Sequence, residues 1–142
     1  MPEPMTPDRS REFLAEGQRS AVLATVRPDG RPHAVPLWFA VDGDDVVINV
    51  SADSAKGKAI AHEPRVTLSV HEDVPPYSFL MVDGTAEFVT DPDEIRRDAA
   101  AIAGRYLPAE AADGFIGYAT APGKVGVRIR VDKLTGVDRV AG

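Results

Sequence analysis

The feature that most constrains the fold of this chain is a series of short apolar, β-branched runs separated by tight turns. Residues 20–27 and 32–41 form two such runs, and the Pro-Asp-Gly sequence between them has the chemistry of a hairpin turn. Residues 41–45 form a second tight turn that leads into a third run. Because strands joined by turns this short are antiparallel, the pattern predicts an antiparallel meander.

The chain as a whole predicts a mainly β (α+β) fold of six strands with two or three short helices. The predicted strands are 20–27, 32–41, 46–50, 65–71, 77–89 and 124–132. A meander with so little helix closes most readily into a small barrel. Pro36 cannot donate to a ladder, which predicts an edge or a bulge in the second strand, and Gly84 predicts a bulge in the fifth.

Capping residues predict where the helices begin. The proposed caps are Thr6, Asp53 or Ser54, and Asp91. The third helix is expected to end at Gly104, and a weaker helical turn and a glycine-rich loop are expected after Pro108. The expected organisation is an N-terminal tail and helix at 1–18, followed by one barrel domain at 19–142.

Charge and composition limit the function classes. The 142 residues carry a net charge of -6 and the pI is near 5.0, which argues against non-specific binding to nucleic acid or to an anionic membrane surface. The lack of cysteine excludes disulfides and thiolate metal sites. Because the N-terminus does not resemble a signal peptide and no window is long and apolar enough to span a bilayer, we expect a cytoplasmic protein.

The segment SADSAKGK carries the chemistry of an anion site. Lys56 and Lys58 fall in the first turns of the second predicted helix, where unpaired amides and the positive end of the dipole disfavour cations. An anion bound by those amides, by the lysines and by the hydroxyls of Ser51 and Ser54 would relieve this conflict. The alternative is a solvated helix start whose lysines are neutralised by Asp53. We interpret the segment as a phosphate site.

The other chemistry-bearing residues provide little acid–base machinery. The three histidines lack zinc-ligand spacing, and the chain contains no nucleophile elbow and no dinucleotide fingerprint. Trp38, Tyr77 and Phe79 fit either core and interface packing or contact with a planar ligand. Arg128 and Arg130 share one face of the last strand and are expected to form surface ion pairs. An aromatic phosphate site of this kind favours a redox cofactor that carries the chemistry itself.

Several predicted strands are apolar on both faces, although the interior of a barrel buries only one of them. A second copy of the same chain is the simplest cover for the other face. The sequence therefore predicts a homodimer.

The chain resembles the split-barrel flavin and deazaflavin oxidoreductases related to pyridoxamine 5'-phosphate oxidase, and among them the branch that uses coenzyme F-420. The resemblance covers residues 19–136 and includes PPYSFLMVDGTAEF and VGVRIRVDKLTG. Its most specific positions are Ser51, Ser54, Lys56, Glu63, Pro64, Arg65, Val66, Gly84, Thr85 and Ala86.

The resemblance implies a homodimer of six-stranded antiparallel split β-barrels with two cofactor sites at the interface. Lys56 would match the phosphate-binding lysine and Lys58 the second basic position, while Tyr77 and Phe79 would reach the ring from the other subunit. The implied cofactor-binding residues are Val35, Pro36, Leu37, Trp38, Ser51, Ser54, Ala55, Lys56, Lys58, Tyr77 and Phe79. Ala59 stands where many relatives carry asparagine, so the serines and the backbone amides would carry more of the binding.

The activity that the resemblance implies is hydride transfer from reduced coenzyme F-420 to a small electron-poor organic acceptor. One alternative is an FMN-dependent oxidase or reductase on the same fold. That branch usually places arginines near the third strand, and residues 46–50 contain none. The other alternative is a non-catalytic protein that binds a cofactor or a tetrapyrrole.

Overall fold

The computed structural model describes residues 1–141, which form eight β-strands and four α-helices in one chain. In chain order these are β1 (Glu3–Pro4), α1 (Pro7–Ala15), β2 (Ala21–Val26), β3 (Pro32–Leu37), β4 (Ala40–Asp42), β5 (Asp45–Ser51), α2 (Ala55–His62), β6 (Arg65–His71), β7 (Phe79–Val89), α3 (Pro92–Tyr106), α4 (Ala109–Ala119) and β8 (Lys124–Asp138).

The strands form one antiparallel sheet in the order β3-β2-β6-β7-β8-β5-β4, with β1 added beside β8. The sheet curves around a core without closing, which confirms the mainly β split-barrel fold. The strand count differs from the predicted count at two places. The second predicted strand divides into β3 and β4 because Trp38 and Phe39 leave the ladder, and the tail expected to be loose contributes β1.

Both predicted strand irregularities occur, the first as predicted and the second on the neighbouring strand. The strand that contains Pro36 is an edge of the sheet, where a missing amide donor costs nothing. Opposite Gly84 the register of β7 on β8 shifts by one residue, and the extra residue is Asp132, so the bulge lies in β8 and not in β7 as predicted. A Cβ at Gly84 would lie 2.5 Å from Ile129 Cγ2 and 2.6 Å from Arg130 O, so only glycine fits opposite this bulge.

The side chains of Thr6, Ser54 and Asp91 cap α1, α2 and α3, as predicted. The prediction for the segment that follows was wrong. The third helix continues through Gly104 to Tyr106, and α4 replaces the expected turn and glycine-rich loop. Packing of α4 against α3 outweighs the cost of placing glycine in a helix, which is only about 1 kcal/mol per residue relative to alanine.

One apolar core joins the inner face of the sheet to the N-terminal helix. Phe13 and Leu14 of α1 are buried with Leu23, Phe39 and Ile129.

The predicted boundary between residues 18 and 19 stays a prediction, and Gly142 lies outside the described residues. None of the helices within residues 1–141 has the length and apolar character needed to cross a membrane.

Candidate functional site

A cleft of about 290 Å³ opens where the end of β3, the end of β5, the start of α2, the start of β8 and the two helices α3 and α4 meet. Its lining residues are Leu37, Trp38, Asn49, Val50, Ser51, Lys56, Ile102, Phe115, Tyr118 and Lys124. Four residues predicted from the sequence, separated by up to 19 positions, therefore line one cleft: Leu37, Trp38, Ser51 and Lys56. The cleft has an aromatic part and a cationic part.

The start of α2 supplies the cationic part with free backbone donors. Ser54 Oγ donates to Ser51 O at 2.7 Å and accepts the Gly57 amide at 3.1 Å, and the Lys58 amide donates to Ser54 O at 2.9 Å. Within residues 1–141, no acceptor contacts the amides of Ala55 and Lys56. The first turn thus leaves two amide donors without an acceptor, which is the feature that lets helix N-termini bind anions.

Gly57 holds this helix start against the end of β5. A Cβ at residue 57 would lie 2.7 Å from Ala52 O and closer still to Ser51 O. The close approach of the two backbones fixes where Lys56 leaves the helix. Lys56 is half-buried and lines the cleft, whereas Lys58 is exposed and lies outside its lining. A contact between Lys58 and a cofactor stays a prediction.

Lys124 and Tyr118 are cleft residues that the sequence reasoning missed. Lys124 is the register partner of Ser51 in the β5–β8 pair, and its Nζ donates to Tyr118 Oη at 2.8 Å. This hydrogen bond and the charge of Lys124, with a smaller contribution from Lys56, lower the pKa of Tyr118. No local sequence pattern marks either residue, because the sheet register and α4 bring them to the cleft.

Trp38 forms the aromatic part and has a fixed orientation. Its ring stacks on Tyr106 with centroids 4.7 Å apart and planes 10° apart, and Phe115 packs beside it at 5.7 Å. Tyr106 is itself held in place, since its hydroxyl donates to Arg19 O at 2.8 Å and accepts from Arg105 Nε at 3.1 Å. Trp38 remains 38% exposed, so part of the indole is available to a planar ligand.

The other predicted ring contacts do not line this cleft. Val35 is half-buried and Pro36 is exposed, both on the edge strand β3. Tyr77 was predicted to begin the fifth strand, but β7 begins at Phe79 because Tyr77 adopts a φ of 62° in the preceding loop. Contact between a cofactor and Tyr77 or Phe79 would need a second copy of the chain and stays a prediction.

The two arginines predicted to share a face of the last strand have structural partners. Arg128 pairs with Asp42 at 2.8 Å and with Asp45 at 3.1 Å, and Arg130 pairs with Glu87 at 2.7 Å, which confirms the predicted ion pairs. In the part of the chain that the structure describes, no three His, Cys, Asp or Glu residues are grouped as metal ligands. The cleft combines aromatic and cationic side chains, and this combination makes it the candidate functional site.

Comparison with known proteins gives one family and several related structures. No curated protein matches the sequence significantly. A conserved hypothetical protein of Mycobacterium tuberculosis is 25% identical, with a TM-score of 0.81 over 96% of this chain and 86% of that one. An F-420 reductase is 29% identical, with a TM-score of 0.66 over 87% of this chain and 94% of that one.

The heme storage protein of Vibrio cholerae shares the fold at 20% identity, with a TM-score of 0.71 over 90% of this chain and 92% of that one. Proteins on this fold thus bind cofactors of different chemistry. The family model described as pyridoxamine 5'-phosphate oxidase matches residues 6–138. That match covers nearly the whole sequence, so the chain belongs to the pyridoxamine 5'-phosphate oxidase family.

Proposed function

We propose that the cleft binds the deazaflavin coenzyme F-420 and that the protein is an oxidoreductase acting on a small electron-poor organic acceptor. The observation that carries the proposal is the pairing, in one cleft, of the cationic start of α2 with the exposed part of Trp38. A phosphorylated planar cofactor matches both parts of the cleft, because its phosphate is anionic and its ring is planar. The 29% identity to an F-420 reductase supports the choice of the deazaflavin.

The cofactor tail would bind at the cationic end. Lys56 and the amides of Ala55 and Lys56 would donate to a phosphate oxygen, and Lys124, which also lines the cleft, would add a second positive charge. Because the chain as a whole has a net charge of -6, attraction of an anion depends on this local group of cations. Ser51 lines the same cleft, as the register partner of Lys124, and would supply a hydroxyl donor.

The cofactor ring would lie at the aromatic end, against Trp38. When bound, the reduced deazaflavin supplies a hydride. The contribution of the chain is orientation, because Tyr106 and Phe115 restrict the indole to one plane before any ligand binds. Leu37, which lines the cleft, would contact the ring from the end of β3, and contacts with Val35 and Pro36 stay predictions from the resemblance. Holding an acceptor parallel to the ring in this way would accelerate hydride transfer through proximity and orientation.

A second candidate is an FMN-dependent oxidase or reductase, which the family match favours. A tetrapyrrole is a third candidate: among the described residues, the cleft lining contains no histidine, cysteine or methionine, so Tyr118, whose pKa Lys124 lowers, is the side chain that would ligate haem iron.

The test is titration of the purified protein with coenzyme F-420, FMN and haem, followed by turnover assays with reduced cofactor and a panel of enones and quinones. We expect saturable F-420 binding and reduction of at least one acceptor. Tight FMN binding without F-420 affinity would replace the proposed activity with the flavin alternative. Binding without turnover across the panel would favour a carrier.

We also propose that the protein is a homodimer. Pro36, Val22, Ser69 and Met81 are successive cross-strand neighbours in β3, β2, β6 and β7, so their side chains share one face of the sheet. None of them is fully buried, and Met81 is 39% exposed. This uncharged row, which we call the outer row, alternates with core residues and has the character of a contact surface for a second copy.

Substitution of Met81 by glutamate tests the dimer. A carboxylate at the β7 end of this uncharged row would be buried at the interface without a partner in the row, so we expect a folded monomer by light scattering and a large loss of F-420 affinity. Ala100→Glu is the matched control, since Ala100 is exposed on α3, and it should leave the dimer intact. A Met81→Glu protein that remains dimeric would exclude this face as the interface.

A further inference from the structure

Asp98 is a buried carboxylate that the proposed function does not use. It lies in α3, is 4% exposed, and its Oδ2 has no hydrogen-bond partner within residues 1–141. Its Oδ1 is 3.7 Å from Arg128 Nη2 and 3.7 Å from Arg97 Nε, and both distances are too long for a hydrogen bond. A carboxylate buried in this way costs stability while it is charged.

The guanidinium that faces Asp98 is already engaged by other carboxylates. Arg128 of β8 donates hydrogen bonds to Asp42 at 2.8 Å and to Asp45 at 3.1 Å, and its Nη2 lies 3.9 Å from Glu94 Oε1. Four carboxylates thus surround one guanidinium, and Asp98 is the most deeply buried of the four. We call this group the Arg128 cluster, and it consists of Asp42, Asp45, Glu94, Asp98 and Arg128.

The surroundings of Asp98 favour its neutral form. Burial raises the pKa of Asp98, the positive charges of Arg128 and Arg97 oppose this increase without cancelling it, and the negative charges of Glu94 and Asp42 add to it. A raised pKa means that the neutral carboxyl stabilises the folded state. This stabilisation is fully present below the ordinary pKa of an aspartate and is lost as the pH rises through the raised value.

Asp98 shares one side of α3 with residues that reach the cleft. Asp98, Ile102 and Tyr106 are spaced by four positions, so their side chains follow one another along the helix. Ile102 is 1% exposed and lines the cleft, and Tyr106 stacks on Trp38. The same side of α3 therefore joins the Arg128 cluster to the aromatic part of the cleft.

The charge of Asp98 acts on the contact between α3 and the sheet. The helix packs against β4, β5 and β8, which carry Asp42, Asp45 and Arg128 of the cluster. When Asp98 is charged, repulsion from Asp42 and the lack of a partner for Oδ2 disfavour close packing at this contact. A proton on Asp98 removes that repulsion, so the neutral form lets α3 pack more closely.

We propose that Asp98 is a pH-responsive positioning residue, which holds α3 closely against the sheet when it is neutral and loosens the helix when it is charged, and that Tyr106 transmits this change to Trp38. Asp98 does not line the cleft and acts only through the helix. The consequence for F-420 binding rests on the proposed function, whereas the effect on Trp38 does not.

The fluorescence of Trp38 is the first test, because Trp38 is the only tryptophan of the chain and reports on the cleft without any ligand. We expect the emission of the wild type to change in one step between about pH 4 and about pH 7, above the ordinary range of an aspartate. Asp98→Asn cannot become charged at this position, so the step should be lost.

Asp93→Asn is the matched control for the fluorescence test. It removes the same charge from an exposed position of the same helix, so it should retain the step of the wild type. A wild type without a step, or an Asp98→Asn protein with an unchanged step, would overturn the role of Asp98.

Thermal denaturation is the second test, and it measures the effect of the buried charge on stability. At about pH 7, Asp98→Asn should melt roughly 2–4 °C above the wild type, because it keeps the shape of the side chain without the charge. The difference should shrink as the pH falls toward about 4, where the wild-type carboxyl is neutral as well. If Asp98→Asn melts below the wild type at about pH 7, the charge stabilises the fold through Arg128 and the inference is wrong.

Titration with F-420 connects this inference to the proposed function. At about pH 7, Asp98→Asn should bind F-420 about two- to fivefold more tightly than the wild type, because its Trp38 is already ordered before the cofactor binds. Equal affinities would overturn the link between Asp98 and the cofactor site. A wild type that binds no F-420 would overturn the proposed function, and the fluorescence test of Asp98 would still stand.

Discussion

Replacement of Lys56 with alanine is expected to weaken F-420 binding by about 1.5–3 kcal/mol, or roughly ten- to a hundredfold in Kd. The lysine would form a charge-assisted contact with phosphate in a half-buried position, where water screens the charge less than at the open surface. The start of α2 and Lys124 would remain, so binding is reduced and not abolished. Isothermal titration or fluorescence titration at fixed ionic strength measures the change.

Lys58→Ala is the matched control for this prediction. It removes the same charge from the same helix two positions later, but Lys58 is exposed and lies outside the cleft lining. Its loss should change Kd by about threefold or less, and added salt should remove that difference because the charge is exposed. Equal losses in the two variants would mean that the phosphate lies along the outside of α2 and not in the cleft.

Much of the candidate site could be predicted because its signals are local in sequence. Ser54 caps α2 because a serine side chain is a good helix cap, which the sequence shows directly. Once the cap is known, Lys56 falls in the first turn of the helix. The edge position of β3 follows from Pro36, whose missing amide hydrogen is a property of one residue. Pro36, Ser54 and Lys56 thus located one strand and one helix end correctly without knowledge of the packing.

The missed part of the site depends on packing. The glycines at 114 and 117 argued against a helix, yet α4 forms there and brings Phe115 and Tyr118 to the cleft. Lys124 reaches the cleft because it pairs with Ser51 across the β5–β8 ladder, which no local pattern encodes. The loop before β7 likewise depends on a distant contact, because Ser78 Oγ, next to the left-handed Tyr77, donates to Asp138 Oδ1, 60 positions away in sequence.

Substitution of Gly57 by alanine is expected to destabilise the fold by about 1–3 kcal/mol, because the added methyl group overpacks a rigid contact. Its Cβ would meet the carbonyl oxygens of Ser51 and Ala52, and backbone atoms cannot rotate aside as a side chain can. The start of α2 must therefore move away from β5, and Lys56 moves with it. We expect a lower melting temperature and a loss of F-420 affinity beyond the loss of stability, measured where the variant is still fully folded.

Gly104→Ala is the control that separates this clash from the general effect of replacing glycine in a helix. Gly104 lies in α3, and a Cβ there would have no heavy atom within 4 Å apart from its own helix and chain neighbours. With no clash, the higher helix propensity of alanine should stabilise the protein by about 0.5–1 kcal/mol. The two glycine-to-alanine changes should thus shift the melting temperature in opposite directions, and only Gly57→Ala should affect the cofactor. If Gly57→Ala were also stabilising, α2 would not be fixed against β5, and the position of Lys56 in the cleft would lose its structural cause.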